Sequence, residues 1–160
     1  MSIKVGDTLP EATFMEMTAD GPQPRTTADI FGGKTVALFA VPGAYTPTCS
    51  AKHLPGYVEK AGDLKTKGVD EIVCTSVNDV FVMGAWGKDS GVGENVRMLA
   101  DGNGAFASAL GLGMDASGFG MGQRSQRYSM IVKDGVVSEL NIEDGGEFKV
   151  SSADYMLNQL

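Results

Sequence analysis

The stretch TVALFAVPGAYTPTCSAKHLPGYVEKAGDLKTKGVDEIVCTSV, residues 35–77, decides the fold. Its ends, residues 35–41 and 71–77, are short apolar runs rich in Val, Ile and Thr, the make-up of buried strands. Between them a helix is predicted from Pro47 to Lys67. Leu54, Val58, Ala61 and Leu64 recur there at spacings of four, three and three, a core-facing stripe. Strand, helix and strand in this order form a βαβ unit with parallel strands and a right-handed crossover. Pro55 falls inside the stripe, where it removes the bond to the carbonyl of Ala51 and predicts a kink.

Downstream, the pattern predicts a helix over 79–88, a short strand over 96–101 and a helix over 104–111. A glycine-rich loop over 111–122 follows, then a hairpin over 127–140 that turns at Asp134-Gly135, and a terminal helix within 151–160. Parallel strands early and an antiparallel hairpin late predict an α/β fold, its mixed central sheet flanked by helices on both faces.

The chain has 160 residues, 42% hydrophobic and 21% charged, which fits one globular domain over residues 1–160. Its formal net charge of −7 offers no surplus of cations for phosphate backbones, so nucleic acid is excluded as a partner. The N-terminus shows no export signal, and no segment reaches the roughly 20 apolar residues that span a bilayer. The expectation is a cytoplasmic protein without membrane contact. Two cysteines are too few for a disulfide scaffold.

One of them, Cys49, follows an apolar strand and the Pro42-Gly43 turn at the first turn of a helix. With Thr46 as N-cap and Pro47 as the first helical residue, Cys49 is the third. Free amides and the positive end of the helix dipole there stabilise S⁻ over SH. The sulfur is predicted to be presented at the carboxyl end of the sheet, where open α/β folds place their sites. Cysteines outside such a setting are mostly buried, inert small hydrophobes.

The residues PGAYTPTCS (42–50) resemble the Pro-x-x-x-Thr-x-x-Cys signature of the peroxiredoxins, in particular the type II (fifth) subfamily. The likeness extends over VGDTLPEATF, HLPGYVEKA, KGVDEIVCTSVNDVFVMGAWG and RSQRYSMIVKDGVV. It implies a thioredoxin-like fold and thiol-dependent reduction of hydrogen peroxide and organic hydroperoxides, with no cofactor and no metal. Cys49 is then the peroxidatic cysteine, Thr46 bonds the peroxide, Pro42 shields the sulfur from water, and Arg127 holds the thiolate and polarises the peroxide. Strand alternation puts Arg127, Ser129 and Ile131 on one face, in keeping with an inward arginine. Arg124 is a weaker candidate for the same pocket or for a dimer contact. His53 shares a helical face with Cys49; it orients the first turn or assists proton movement, or is a satisfied helix-surface histidine on which catalysis does not depend.

In the subfamily a cysteine placed like Cys74 can resolve the sulfenic acid through an intramolecular disulfide. Cys74 sits in a buried strand, and a disulfide needs Cα atoms within about 7 Å, so closure requires local unfolding. The competing route uses glutathione with glutaredoxin, or thioredoxin, as reductant; Cys74 as core filler is the third option. A homodimer is expected, packed beside the site.

Three readings from other classes compete. ADIFGGKT (28–35) fits a relaxed phosphate-loop pattern, but a strand follows it where a helix is needed. A zinc site from Cys49, His53 and Cys74 lacks a fourth ligand. A non-catalytic thioredoxin-fold scaffold would use Phe81, Val82, Met83 and Trp86 as a partner surface.

Overall fold

The computed structural model describes residues 2–160. A seven-stranded sheet runs in the order β2-β1-β5-β4-β3-β8-β9. Its strands are β1 (Thr13–Thr18), β2 (Gly21–Thr26), β3 (Thr35–Ala40), β4 (Glu71–Ser76), β5 (Arg97–Ala100), β8 (Tyr128–Lys133) and β9 (Val136–Ile142). β3, β4 and β5 are parallel; β1 and β8 border this trio in antiparallel fashion. The βαβ unit and the late hairpin thus meet as expected, with the reactive segment leaving the central strand β3.

Alternation along the strands sorts the core into two layers. On one face Ala37, Phe39, Ile72, Cys74 and Ile131 pack under α2 (Leu54–Thr66), α3 (Val80–Asp89) and α5 (Ala153–Leu157). On the other, Val36, Leu38, Val73, Tyr128 and Met130 pack under α1 (Thr27–Phe31) and α4 (Ala105–Leu110). Lateral cohesion across three neighbouring strands comes from Arg97 of β5, which ties Glu16 of β1 to Glu71 of β4 at 2.9 and 3.0 Å.

The sequence reading misses four strands: β1 and β2 before residue 35, and two more in the glycine-rich segment. β2 reads GPQPRT, and its two prolines argue against a strand; it is an edge strand, where the missing N–H groups cost no ladder bond. The glycine-rich segment folds into a small hairpin of β6 (Gly113–Asp115) and β7 (Gln123–Ser125) around a 3-10 turn at Ser117–Phe119. Its strands are too short for any periodicity to register.

Just before Pro55, a π-helical turn over Cys49–His53 runs into α2. The Leu54 amide bonds to the carbonyl of Cys49, five residues back. The wider turn takes up the register mismatch that the proline ring and missing N–H would otherwise impose, at a cost of about 3 kcal/mol in an α-helix interior. The bulge therefore sits at the reactive turn itself.

Candidate active site

Past the end of β3, the Val41 amide bonds to the carbonyl of Thr75 at 3.1 Å, then Pro42 and Gly43 turn the chain. Pro42 is half-buried in this turn, at the carboxyl end of the sheet. A Cβ on Gly43 would lie 3.0 Å from Met121 Cε and 3.1 Å from Thr46 Cγ2, so a larger residue would have to push Met121 or Thr46 aside. The Ala44 amide donates to Asn78 Oδ1 at 2.9 Å, fixing the turn to the end of β4. Thr46 occupies the N-cap place, its carbonyl accepting from the Ser50 amide at 2.9 Å. Its hydroxyl does not cap the helix as expected: it donates to the Gly43 carbonyl at 2.7 Å. The lone pairs of that oxygen are thereby turned away from the donor bond and free to accept.

Cys49 is fully buried, a departure from the presented sulfur that its place in the sequence suggests. The π turn rolls it against Phe39, Leu54 and Tyr57 in the core layer beneath α2. Arg127, the residue before β8, donates from Nη2 to Cys49 Sγ at 3.0 Å. The inward arginine that alternation suggests is the one observed, on the face it shares with Ile131.

His53 lies in the core as well, not on the helix surface. Its ring sits 4.8 Å from Phe39 and 5.0 Å from Phe148. Arg127 Nη1 donates to His53 Nδ1 at 2.8 Å, which leaves the proton on Nε2, 3.0 Å from the Ser151 carbonyl. Burial, reinforced by the Arg127 charge, holds the ring neutral and lowers its pKa from 6.5 to about 3. A neutral imidazole is the form able to accept from a guanidinium. His53 therefore fixes one nitrogen of Arg127 while the other faces the sulfur.

Cys74 faces the same layer from the sheet centre, paired with Phe39 and Met98. Burial, and next the proximity of Cys49, push its thiol well above the ordinary range. Both cysteines are free thiols. Arg124 is not drawn into the cluster: Nε donates to the Met121 carbonyl at 2.8 Å and Nη1 to the Val77 carbonyl at 2.9 Å. It pins the β6–β7 hairpin over the Gly43 turn.

The other readings fare as follows. Lys34 pairs with Glu71 at 3.4 Å, and its segment is preceded by α1 and followed by a strand. Both ring nitrogens of His53 are engaged, and no cluster suited to a metal ion occurs among the described residues. Met83 and Trp86 are core, with Trp86 Nε1 donating to Ser50 Oγ at 3.1 Å; Phe81 is 66% exposed. No helix among the described residues is long and apolar enough to cross a membrane.

A family model, Redoxin, matches residues 4–157. Peroxiredoxin-2B of Arabidopsis thaliana is 49% identical over 99% of this chain and 98% of its own length. The reduced Prx3 of Vibrio vulnificus in complex with H2O2 superposes with a TM-score of 0.95 at 52% identity, covering 98% of each chain. The chain belongs to the peroxiredoxin family. A structure from Burkholderia cenocepacia provisionally described as a thioredoxin reductase also matches, with a TM-score of 0.98 at 50% identity over 100% and 99% of the two chains. This peroxiredoxin has the thioredoxin-like fold, and it is a thiol-dependent peroxidase of the type II kind.

Sequence reasoning missed the partners that hold the peroxiredoxin's His53 and Arg127: Tyr57, Glu143, Phe148 and Ser151. Ser151 lies 98 residues from His53, and nothing local in VSSAD marks its carbonyl as an acceptor for a buried ring. Tyr57, one turn beyond His53, donates to the same carbonyl at 2.9 Å, and its place on the face of α2 was the one available clue.

Proposed function

We propose that Cys49 is the peroxidatic residue and Arg127 the group that stabilises charge on it and on the peroxide. The observation that carries this reading is the 3.0 Å contact between Arg127 Nη2 and Sγ, with the guanidinium held from its other side by His53. The sulfur attacks one oxygen of the hydroperoxide; an S–O bond forms as the O–O bond breaks. Sulfur is oxidised to a sulfenic acid, and the departing oxygen leaves as hydroxide or alkoxide that takes up a proton. A fixed cationic donor lowers the barrier because charge develops on that departing oxygen in a water-poor site. Thr46, its hydroxyl proton committed to Gly43, offers a lone pair to the peroxide O–H. Pro42 walls the turn against water. His53 acts as a positioning residue for Arg127. Arg124 is assigned to holding the hairpin and not to the pocket.

Because Sγ is sealed from solvent, peroxide entry requires a local shift of its surroundings. Hydrogen peroxide, the ligand in the Vibrio vulnificus complex, and small organic hydroperoxides are the substrates proposed. For resolution we favour an external thiol, glutathione with glutaredoxin or thioredoxin: it condenses with the sulfenic acid to a mixed disulfide and water, and a second thiol releases Cys49. Cys74, sealed at the sheet centre and kept as a thiol, supports this route over an internal disulfide. We also read residues 1–160 as one redoxin domain of a homodimer in the reducing cytoplasm. Phe81 on α3 and Phe119 in the 3-10 turn of the β6–β7 hairpin, 66% and 86% exposed, support a self-contact through these two elements. Sedimentation at micromolar concentration is expected to give a dimer; a monomer alone removes that part. Cys49→Ser is expected to abolish peroxide turnover while the fold persists, and wild-type activity in that variant would overturn the mechanism.

A further inference from the structure

The segment from Glu143 to Ser151 closes over the site with no residue that touches the sulfur. One carboxylate oxygen organises it. Glu143 Oε2 accepts from the Lys149 amide at 2.8 Å, the Ser151 amide at 2.8 Å and the Ser151 hydroxyl at 2.6 Å. Glu143 is itself 8% exposed, and its amide donates to the Arg127 carbonyl at 3.0 Å. The strap turns through Asp144 to Glu147, whose amide bonds back to the Asp144 carbonyl at 3.0 Å. Its far end delivers two things: Phe148 against the His53 ring, and the Ser151 carbonyl to His53 Nε2.

These contacts form one unbroken chain. The carboxylate fixes Ser151, whose carbonyl selects the His53 tautomer with the proton on Nε2. That tautomer leaves Nδ1 as an acceptor for Arg127 Nη1, and the bond orients Nη2 toward Sγ. In the other tautomer an N–H would face the guanidinium and the two donors would repel; a flipped ring would present carbon there and no acceptor at all. Loops are ordinarily closed by backbone turns; spending a buried carboxylate on three donors, two of them from Ser151, places that one carbonyl closely.

We infer that Glu143 is a remote positioning residue for the peroxidase reaction, acting through Ser151 and the tautomer of His53 to aim Arg127 at Cys49. The inference rests on the proposed roles of Cys49 and Arg127 and adds a residue to them. It separates the attack on peroxide from the attack of a thiol on the sulfenic acid, since in the latter Cys49 is the electrophile and develops no negative charge for the guanidinium to stabilise.

The chain has a single histidine, so ¹⁵N labelling of histidine reports this ring alone. In the wild type one pyrrole-like signal at Nε2 and one pyridine-like signal at Nδ1 are expected at neutral pH. In Glu143→Ala the two signals should move toward each other as the tautomers mix. The second-order rate of Cys49 oxidation by hydrogen peroxide, read by stopped flow, should fall about tenfold, the low end of the cost of losing a partner that orients a reacting group. The rate of sulfenic acid reduction by thiol should stay within twofold. Glu143→Gln, which keeps a carbonyl acceptor in place, should recover most of the oxidation rate. If Glu143→Ala does not fold, Glu143→Asp takes the same measurements, because it keeps the charge and withdraws the acceptor. A folded Glu143→Ala or Glu143→Asp with wild-type oxidation kinetics overturns the inference, as does a slowed one whose ring signals have not moved. Arg127→Ala is measured alongside: if it oxidises at the wild-type rate the underlying reading fails, and if it is slow while Glu143→Ala is not, only the role of Glu143 falls.

Discussion

Protonation of His53 gives the sharpest quantitative test of the site. Its folded-state pKa is about 3 against an ordinary 6.5, lowered by burial and by the Arg127 charge. Between these values the unfolded chain binds a proton at this ring and the folded chain does not, so stability falls as pH falls. The contribution is fully present above about pH 6.5 and is lost progressively toward pH 3. Each unit of difference corresponds to about 1.4 kcal/mol, so lowering the pH from 6.5 to 5 should remove about 2 kcal/mol. The window is kept above pH 5 because buried carboxylates add their own slopes below it. Glu143, held below the ordinary range by its hydrogen bonds against the opposing effect of burial, loses stability on acidification; Asp101, pushed up mainly by burial, acts in the other direction. His53→Gln retains an acceptor for Arg127 and a donor for Ser151 but cannot titrate. Urea unfolding of both proteins at pH 7, 6 and 5 should show their stability difference shrinking by about 2 kcal/mol as the wild type weakens. Parallel curves, with a constant difference from pH 7 to pH 5, would refute the buried neutral ring and with it the aimed guanidinium.

Two further outcomes are expected. Cys74→Ala, which leaves no orphaned hydroxyl in the sheet, should retain full turnover with thioredoxin and with glutathione plus glutaredoxin; loss with either assigns Cys74 to resolution. Gly87→Ala places a Cβ 2.7 Å from Met98 Cγ and 3.3 Å from Val92 Cγ2, and overpacking of this kind costs about 1–3 kcal/mol. The gain in helix propensity returns about 1 kcal/mol, so a lower urea midpoint is expected, and an unchanged or higher one would show that α3 moves off the sheet without cost.

The central βαβ unit was legible because its signals are local: strands of β-branched and apolar residues, a stripe at helical spacing, and a proline-glycine turn before Cys49. The hairpin at Asp134-Gly135 was legible for the same reason, with Asp134 at φ +48° and Gly135 at +77° supplying the turn. The edge strand β2 was not, because two prolines mask it and its place at the edge is a property of the sheet. The consequence of Pro55 was seen as a disruption, but not as a π turn, whose place just before the proline depends on how the helix packs over Phe39 of β3. Cys49 and Arg127 were found through the motif they belong to, yet the motif says nothing of burial.

The order of amino acids alone determined the central strands and the late hairpin, the helix that carries Cys49, and the family to which they belong, since each is written in neighbouring residues or in a contiguous signature. Tertiary structure decided that the sulfur is sealed, that His53 is a neutral ring in the core, and that Arg127 is held from behind. Those facts arise where residues 49, 53, 127, 143 and 151 converge across the sheet. The physical reason is that a hydrogen bond between segments nearly a hundred residues apart leaves no periodicity or turn signal in either one; only the packed sheet brings donor and acceptor within 3 Å.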